Sequence, residues 1–147
     1  MKVYLATSSR NKMQPVVLKL LRAAGHDVYD FLNPQKDKSA FRWEDINQDY
    51  KRSNTFVYRE MLFDEKAKRH FESNLIALRG SDAVIGLEPF GVSTAIELGY
   101  AAGCGIPTAV VLSTPPSHEL MLKIVDRILI TSEEILDVLR DFDRGIR

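Results

Sequence analysis

Glu97 is the residue best placed in this sequence to do chemistry. It stands in SDAVIGLEPFGVSTAIELGY, residues 81–100, where an apolar run at 82–87 hands over to a helix-forming stretch at 95–102 through the small-residue loop Pro89-Phe90-Gly91-Val92-Ser93-Thr94. Such an apolar run reads as a parallel strand buried on both faces. Ligands of an open α/β sheet bind outside the carboxyl ends of its strands, and the spacing puts Glu97 at that edge. In a first helical turn, free N–H groups and the positive end of the helix dipole would hold a carboxylate ionised, a contribution of roughly 0.3–1 kcal/mol. An ionised carboxylate in a small-residue pocket suits attack on an electrophilic carbon, such as the anomeric carbon of a sugar, through a covalent glycosyl-enzyme. Acidic residues in first turns also serve stability alone. Position by itself leaves both roles open to Glu97.

A second group of candidates follows the first strand. Thr7, Ser8 and Arg10 lie in the loop Ala6-Thr7-Ser8-Ser9-Arg10-Asn11, which leads into a helix with Pro15 near its start. Hydroxyls, a guanidinium and free backbone N–H groups at a helix start form an anion site, for which a phosphate is the natural guest. The same Ser, Thr and Asn residues are also common helix caps. Neither a Walker loop nor GxGxxG is present, so ATP hydrolysis and dinucleotide redox chemistry lose support and no cofactor is expected. His26, His70 and His118 are far apart and have no metal-ligand spacing.

Alternating strands and helices would position these residues. Strands are expected at 3–6, 27–31, 82–87, 107–112 and 127–130. Between and after them, helices are expected at about 16–24, across 55–79, from 95 to the Gly103-Cys104-Gly105 stop, near 118–125, and at 132–142 with Ser132 as cap. Phe56, Met61, Leu62, Ala67, Phe71, Leu75 and Leu78 form the expected inner face of the 55–79 stretch. This pattern predicts one α/β domain over residues 1–147, a doubly wound five-stranded parallel sheet of flavodoxin-like order 2-1-3-4-5. Its crevice would open between the loops after Ala6 and Leu87. Residues 33–53 make a polar stretch without a clear period, long enough to suggest a functional loop. It holds Pro34, several Lys and Asp, Phe41 and Trp43; the Trp43 ring either folds back on the core or covers a ligand.

Composition narrows the function. The 147 residues carry 20 basic and 20 acidic side chains, so no net field draws the chain to a nucleic acid polymer or an anionic membrane. Its apolar runs are too short to span a bilayer, and Met1-Lys2 passes directly into a strand, with no leader expected. The lone Cys104, read as a small core residue, fits a reducing cytoplasm.

The opening MKVYLATSSRNKMQPVVLKLLRAAGHDVYDFLNP, with SDAVIGLEPFGVSTAIELGYAAGCGIPTAVVL, resembles the nucleoside 2-deoxyribosyltransferase superfamily, which includes nucleoside 5′-monophosphate N-glycosidases. The likeness runs over nearly the whole chain in the same order. It implies that Glu97 is the nucleophile and that Tyr4, otherwise a core aromatic of the first strand, orients it. It also implies that Ser8, Arg10, Gly91 and Ser93 surround the sugar or its 5′-phosphate, and that neighbouring subunits of a homo-oligomer complete the site. Asp82 matches an aspartate that begins the third strand and is read as structural. Where relatives often carry an aspartate that protonates or holds the leaving base, this chain has Asn74, which cannot deliver a proton. Glu72, Glu88, Glu44 or Asp45 would then have to supply the acid. The expected substrate is a small nucleoside or nucleotide. The competing reading is a nucleotide-binding or sensing module that keeps the crevice and has lost turnover. A phosphoribohydrolase of the cytokinin-activating kind ranks below both, because GVSTAIE lacks the glycine pair of PGGxGTxxE.

Overall fold

A computed structural model describes residues 1–33 and 40–147 of the chain. Pro34 and the Lys and Asp residues at 36–38 of the expected polar loop lie outside them. The chain forms two compact units, Met1–Asp30 with Leu78–Arg147, and Phe31–Ala77.

The first unit is built on β1 (Lys2–Thr7), α1 (Gln14–Ala23) and β2 (Asp27–Tyr29). The second holds 3-10 turns at Trp43–Asp45 and Tyr50–Arg52, then α2 (Thr55–Leu62) and α3 (Glu65–Arg79) as far as Ala77. The first resumes with β3 (Ala83–Leu87), α4 (Val92–Gly103), β4 (Thr108–Val111), a 3-10 turn at Leu120–Ile124, β5 (Arg127–Leu129) and α5 (Glu134–Asp143).

Among the described residues the strands form one parallel sheet of five, ordered β2-β1-β3-β4-β5. The doubly wound α/β fold and strand order expected from the alternation are therefore present. Long apolar runs such as AVIGL, buried at every position, made the central strands legible.

Strand periodicity sorts the sheet into two faces. Val3, Leu5, Ala83, Ile85, Leu87 and Ala109 share a core with Val17 and Leu21 of α1 and Ile135, Val138, Leu139 and Phe142 of α5. Tyr4, Ala6, Val84, Gly86 and Val110 point to the other face, which α4 covers. There Gly86 permits a close approach: a Cβ on it would stand 2.8 Å from Leu98 Cδ1 and 3.1 Å from Val110 Cγ2. Asp82 tethers the start of β1, its Oδ2 accepting from the Lys2 N–H at 2.6 Å, which is a structural task.

Several local expectations need correction. The helical pattern at 55–79 is two helices, broken at Phe63-Asp64. Asn54 caps the first by accepting from the Val57 N–H at 3.0 Å, and Asp64 Oδ1 accepts from the Lys66 N–H at 2.7 Å where the second begins. Its expected inner face is only partly internal. Met61 and Leu78 are buried, whereas Phe56, Leu62 and Phe71 are 71%, 47% and 63% exposed. Cys104 is exposed at the C-terminal cap of α4 and is not a core residue. Ser132 does not cap α5. That helix starts at Glu134, whose Oε1 reaches back to accept from the N–H groups of Ile130 and Thr131.

Among the described residues, no helix is long and apolar enough to cross a membrane, and no three His, Cys, Asp or Glu side chains are grouped to hold a metal ion.

Candidate active site

The site is built where β1 and β3 lie side by side with α4 above them. Tyr4 is 1% exposed, and its hydroxyl donates to Glu97 Oε1 at 2.8 Å. Tyr4 points to the α4 face because it alternates with Val3 and Leu5. Glu97 meets it because Gly86 lets the neighbouring Leu98 settle onto the sheet. Side by side in register with Tyr4, Tyr29 of β2 stacks on it, with ring centroids 5.2 Å apart and planes 16° from parallel.

Glu97 differs from expectation in one respect. Helix α4 starts at Val92, with Gly91 as cap, so Glu97 lies in the second turn, beyond the strongest reach of the helix dipole. Burial dominates instead. It pushes the Glu97 carboxyl above its ordinary range, and the hydrogen bond from Tyr4 works against that rise. The Tyr4 hydroxyl is itself pushed far up, first by burial and then by the neighbouring carboxylate, so it remains a proton donor.

The loop after β1 is pinned to the end of β3 by Asn11, a residue whose role the sequence reading missed. Its Nδ2 donates to the carbonyls of Leu87 and Glu88 at 3.0 and 3.1 Å and to Thr7 Oγ1 at 2.9 Å. Its Oδ1 accepts from the Met13 N–H, which closes an Asx turn at the start of α1. The signal available in the sequence was an Asn opening a helix, which capping alone already explained. Gln14 and Asp30 make a second buried tie, at 3.0 Å.

The expected substrate-binding residues fall into four groups. Ser8 is half-buried and Arg10 exposed in the pinned loop, where the Arg10 N–H donates to Ser8 Oγ at 3.3 Å. Gly91 and Ser93, both exposed, lie at the cap and in the first turn of α4. Thr7 is buried, and its hydroxyl donates to the Leu87 carbonyl at 3.0 Å, bracing the end of β1 against the end of β3.

Trp43 and Asn74 belong to the second unit. The half-buried Trp43 ring packs edge-on against Phe41 and Tyr58, at 4.8 and 5.7 Å. Asn74 is half-buried on α3.

Glu88 is a poor candidate for the acid that the leaving base would need. It is 5% exposed, and both of its oxygens are engaged. Oε2 accepts from the Ser113 N–H and hydroxyl at 3.0 and 3.3 Å, and Oε1 accepts from the Ser117 hydroxyl. Burial raises its pKa, but these hydrogen bonds outweigh burial and hold it below the ordinary carboxylate value, ionised.

No protein-family model matches this sequence, and no curated protein matches it by sequence. Solved structures do match. A 2-deoxyribosyltransferase from Bacillus psychrosaccharolyticus aligns over 92% of this chain and 90% of its own, at 21% identity and a TM-score of 0.60. A conserved protein from Enterococcus faecalis V583 aligns over 96% and 98%, at 15% identity and a TM-score of 0.61. The CMP N-glycosidase BcmB of Clostridium botulinum aligns over 95% and 99%, at 15% identity and a TM-score of 0.55. The likeness is one of fold: this chain shares its five-stranded parallel α/β architecture with a 2-deoxyribosyltransferase and a CMP N-glycosidase.

Proposed function

We propose that this protein cleaves, or transfers at, the N-glycosidic bond of a nucleoside or nucleoside 5′-monophosphate, with Glu97 as the nucleophile. The observation that carries the reading is the hydrogen bond from the buried Tyr4 hydroxyl to Glu97 Oε1, at 2.8 Å. With Oε1 held against the strand by Tyr4, Oε2 is the oxygen we assign to the attack. The likeness in fold to a deoxyribosyltransferase and a CMP N-glycosidase supports the same reading.

In this mechanism Glu97 Oε2 attacks C1′ of the sugar. The bond from C1′ to the base nitrogen breaks, its electron pair leaves with the base, and a glycosyl ester forms on Glu97. Water or a second base then attacks C1′, freeing the carboxylate and completing hydrolysis or transfer. Tyr4 keeps Glu97 oriented through both displacements. Ser8 and Arg10 on one side, with Gly91, Ser93 and the first N–H groups of α4 on the other, are the groups we assign to the sugar and its 5′-phosphate. With Glu88 held ionised, the base gains its proton from elsewhere, which favours substrates whose base leaves without strong acid assistance. We further propose that the protein is cytoplasmic and works as a homo-oligomer.

Glu97→Gln keeps an oxygen to accept from Tyr4 and removes the nucleophile. It is expected to fold as the wild type does and to lose base release by at least about 10³-fold. The wild-type rate should rise with pH through a Glu97 pKa above the ordinary carboxylate value, because only the ionised form attacks. Chromatography of nucleosides and nucleotides incubated with each protein, with and without a free acceptor base, checks this. Full activity in Glu97→Gln would refute the assignment; tight nucleotide binding by calorimetry with no release over hours would favour the binding module.

A further inference from the structure

Tyr29 is the last residue of the edge strand β2, half-buried, and it lies on the α4 face because the parallel register sets it beside Tyr4. Its ring stacks nearly parallel on the Tyr4 ring. The strand backbone fixes only one end of Tyr4, while the hydroxyl that holds Glu97 stands at the far end of the ring. A small tilt of the ring therefore becomes a displacement of that oxygen, and a stacked neighbour resists the tilt. Among the described residues, the titratable group that acts on Glu97 is Tyr4, and Tyr4 in turn responds to both Glu97 and Tyr29.

We infer that Tyr29 is a positioning residue that sets the aim of Glu97 by clamping the ring of Tyr4. This rests on the reading of Glu97 as nucleophile for its functional meaning, but its physical content can be measured without turnover. Loosening Tyr4 weakens the hydrogen bond that draws the Glu97 pKa down, so the carboxyl should titrate at higher pH. The activity lost should correspond to one aromatic pair, roughly two- to twelvefold in kcat/KM, and should fall on kcat more than on KM.

The experiment is a ¹³C NMR titration of the Glu97 carboxyl in full-length protein. It compares wild type, Tyr29→Leu, Tyr29→Phe and Tyr4→Phe with the Tyr29→Leu/Tyr4→Phe double variant, alongside base-release rates. Tyr29→Met takes the place of Tyr29→Leu if the latter does not fold. Tyr29→Leu should move the Glu97 titration upward, part of the way to that of Tyr4→Phe. Tyr29→Phe, which keeps the ring, should restore the titration and most of the rate. In the Tyr4→Phe background, Tyr29→Leu should change nothing further.

A folded Tyr29→Leu protein with the wild-type titration overturns the inference. So does a shift that persists without the Tyr4 hydroxyl, or a Tyr29→Phe titration displaced as far as that of Tyr29→Leu. If the titrations behave as stated but no nucleoside or nucleotide is cleaved, the clamp stands and the reaction assigned to Glu97 falls.

Discussion

A methyl group placed on residue 86 measures how closely α4 must lie on the sheet for Glu97 to meet Tyr4. The Cβ of Gly86→Ala would stand 2.8 Å from Leu98 Cδ1 and 3.1 Å from Val110 Cγ2, whereas carbon contacts settle at about 3.5–4.0 Å. Both neighbours lie in packed surroundings, Leu98 2% exposed and Val110 0% exposed, so any yielding is made against other side chains. Either α4 lifts by roughly 0.5–1 Å or Leu98 leaves its rotamer, and such overpacking costs about 1–3 kcal/mol. For a chain of this length that corresponds to a fall in Tm of roughly 2–12 °C.

The same lift acts on function. The Tyr4 to Glu97 bond, one residue from Leu98, is 2.8 Å long, and stretching it by that amount carries it to or past the roughly 3.0 Å upper limit for a good O–H···O bond. Thermal unfolding followed by circular dichroism should show the destabilisation, and base release should fall with it. Gly99→Ala is the control within the same helix. A Cβ there meets nothing within 4 Å, so the exchange should stabilise by about 0.5–1 kcal/mol. A Gly86→Ala protein that melts with the wild type would refute the close approach of α4 as the device that seats Glu97.

Two further substitutions test the supports of the proposed site. Asn11→Ala removes the side-chain donor to the Glu88 carbonyl and leaves the Leu87 carbonyl with Thr7 as its side-chain donor, which should cost about 1–3 kcal/mol in urea unfolding and lower nucleotide affinity measured by calorimetry, since the Ser8 to Arg10 loop loses its anchor. An unchanged unfolding midpoint would show that the anchor is dispensable. Glu88 has a folded-state pKa below its ordinary value, so its ionised form stabilises the fold above the unfolded-state pKa, and that contribution is lost as pH falls through the depressed value. The stability gap between wild type and Glu88→Gln should therefore be widest near neutral pH and narrow in acid below the ordinary carboxylate range. A gap that stays constant with pH would contradict the serine-held carboxylate.

The sequence by itself determined the class of fold and the order of the strands. Continuous apolar runs at Val3 to Ala6 and Ala83 to Leu87 have no stable place except inside a parallel sheet, and short connections leave few ways to wind it. It also marked Glu97 as the carboxylate at the sheet's edge, because a strand, a small-residue loop and a helix in succession locate that edge. Tertiary structure alone decided how that carboxylate behaves. The sequence suggested a first-turn glutamate kept ionised by the helix dipole, whereas three more residues of helix and the cover of the sheet made burial the larger effect. Contacts across long separations decided the remaining roles. Tyr4 and Glu97 are 93 residues apart, and Asn11 reaches Leu87 over 76; no local pattern records which distant group a side chain will meet. The helical stretch at 55–79 was misjudged for the same reason: periodicity tells which residues share a face but not whether anything covers it, and Phe56 and Phe71 stand exposed.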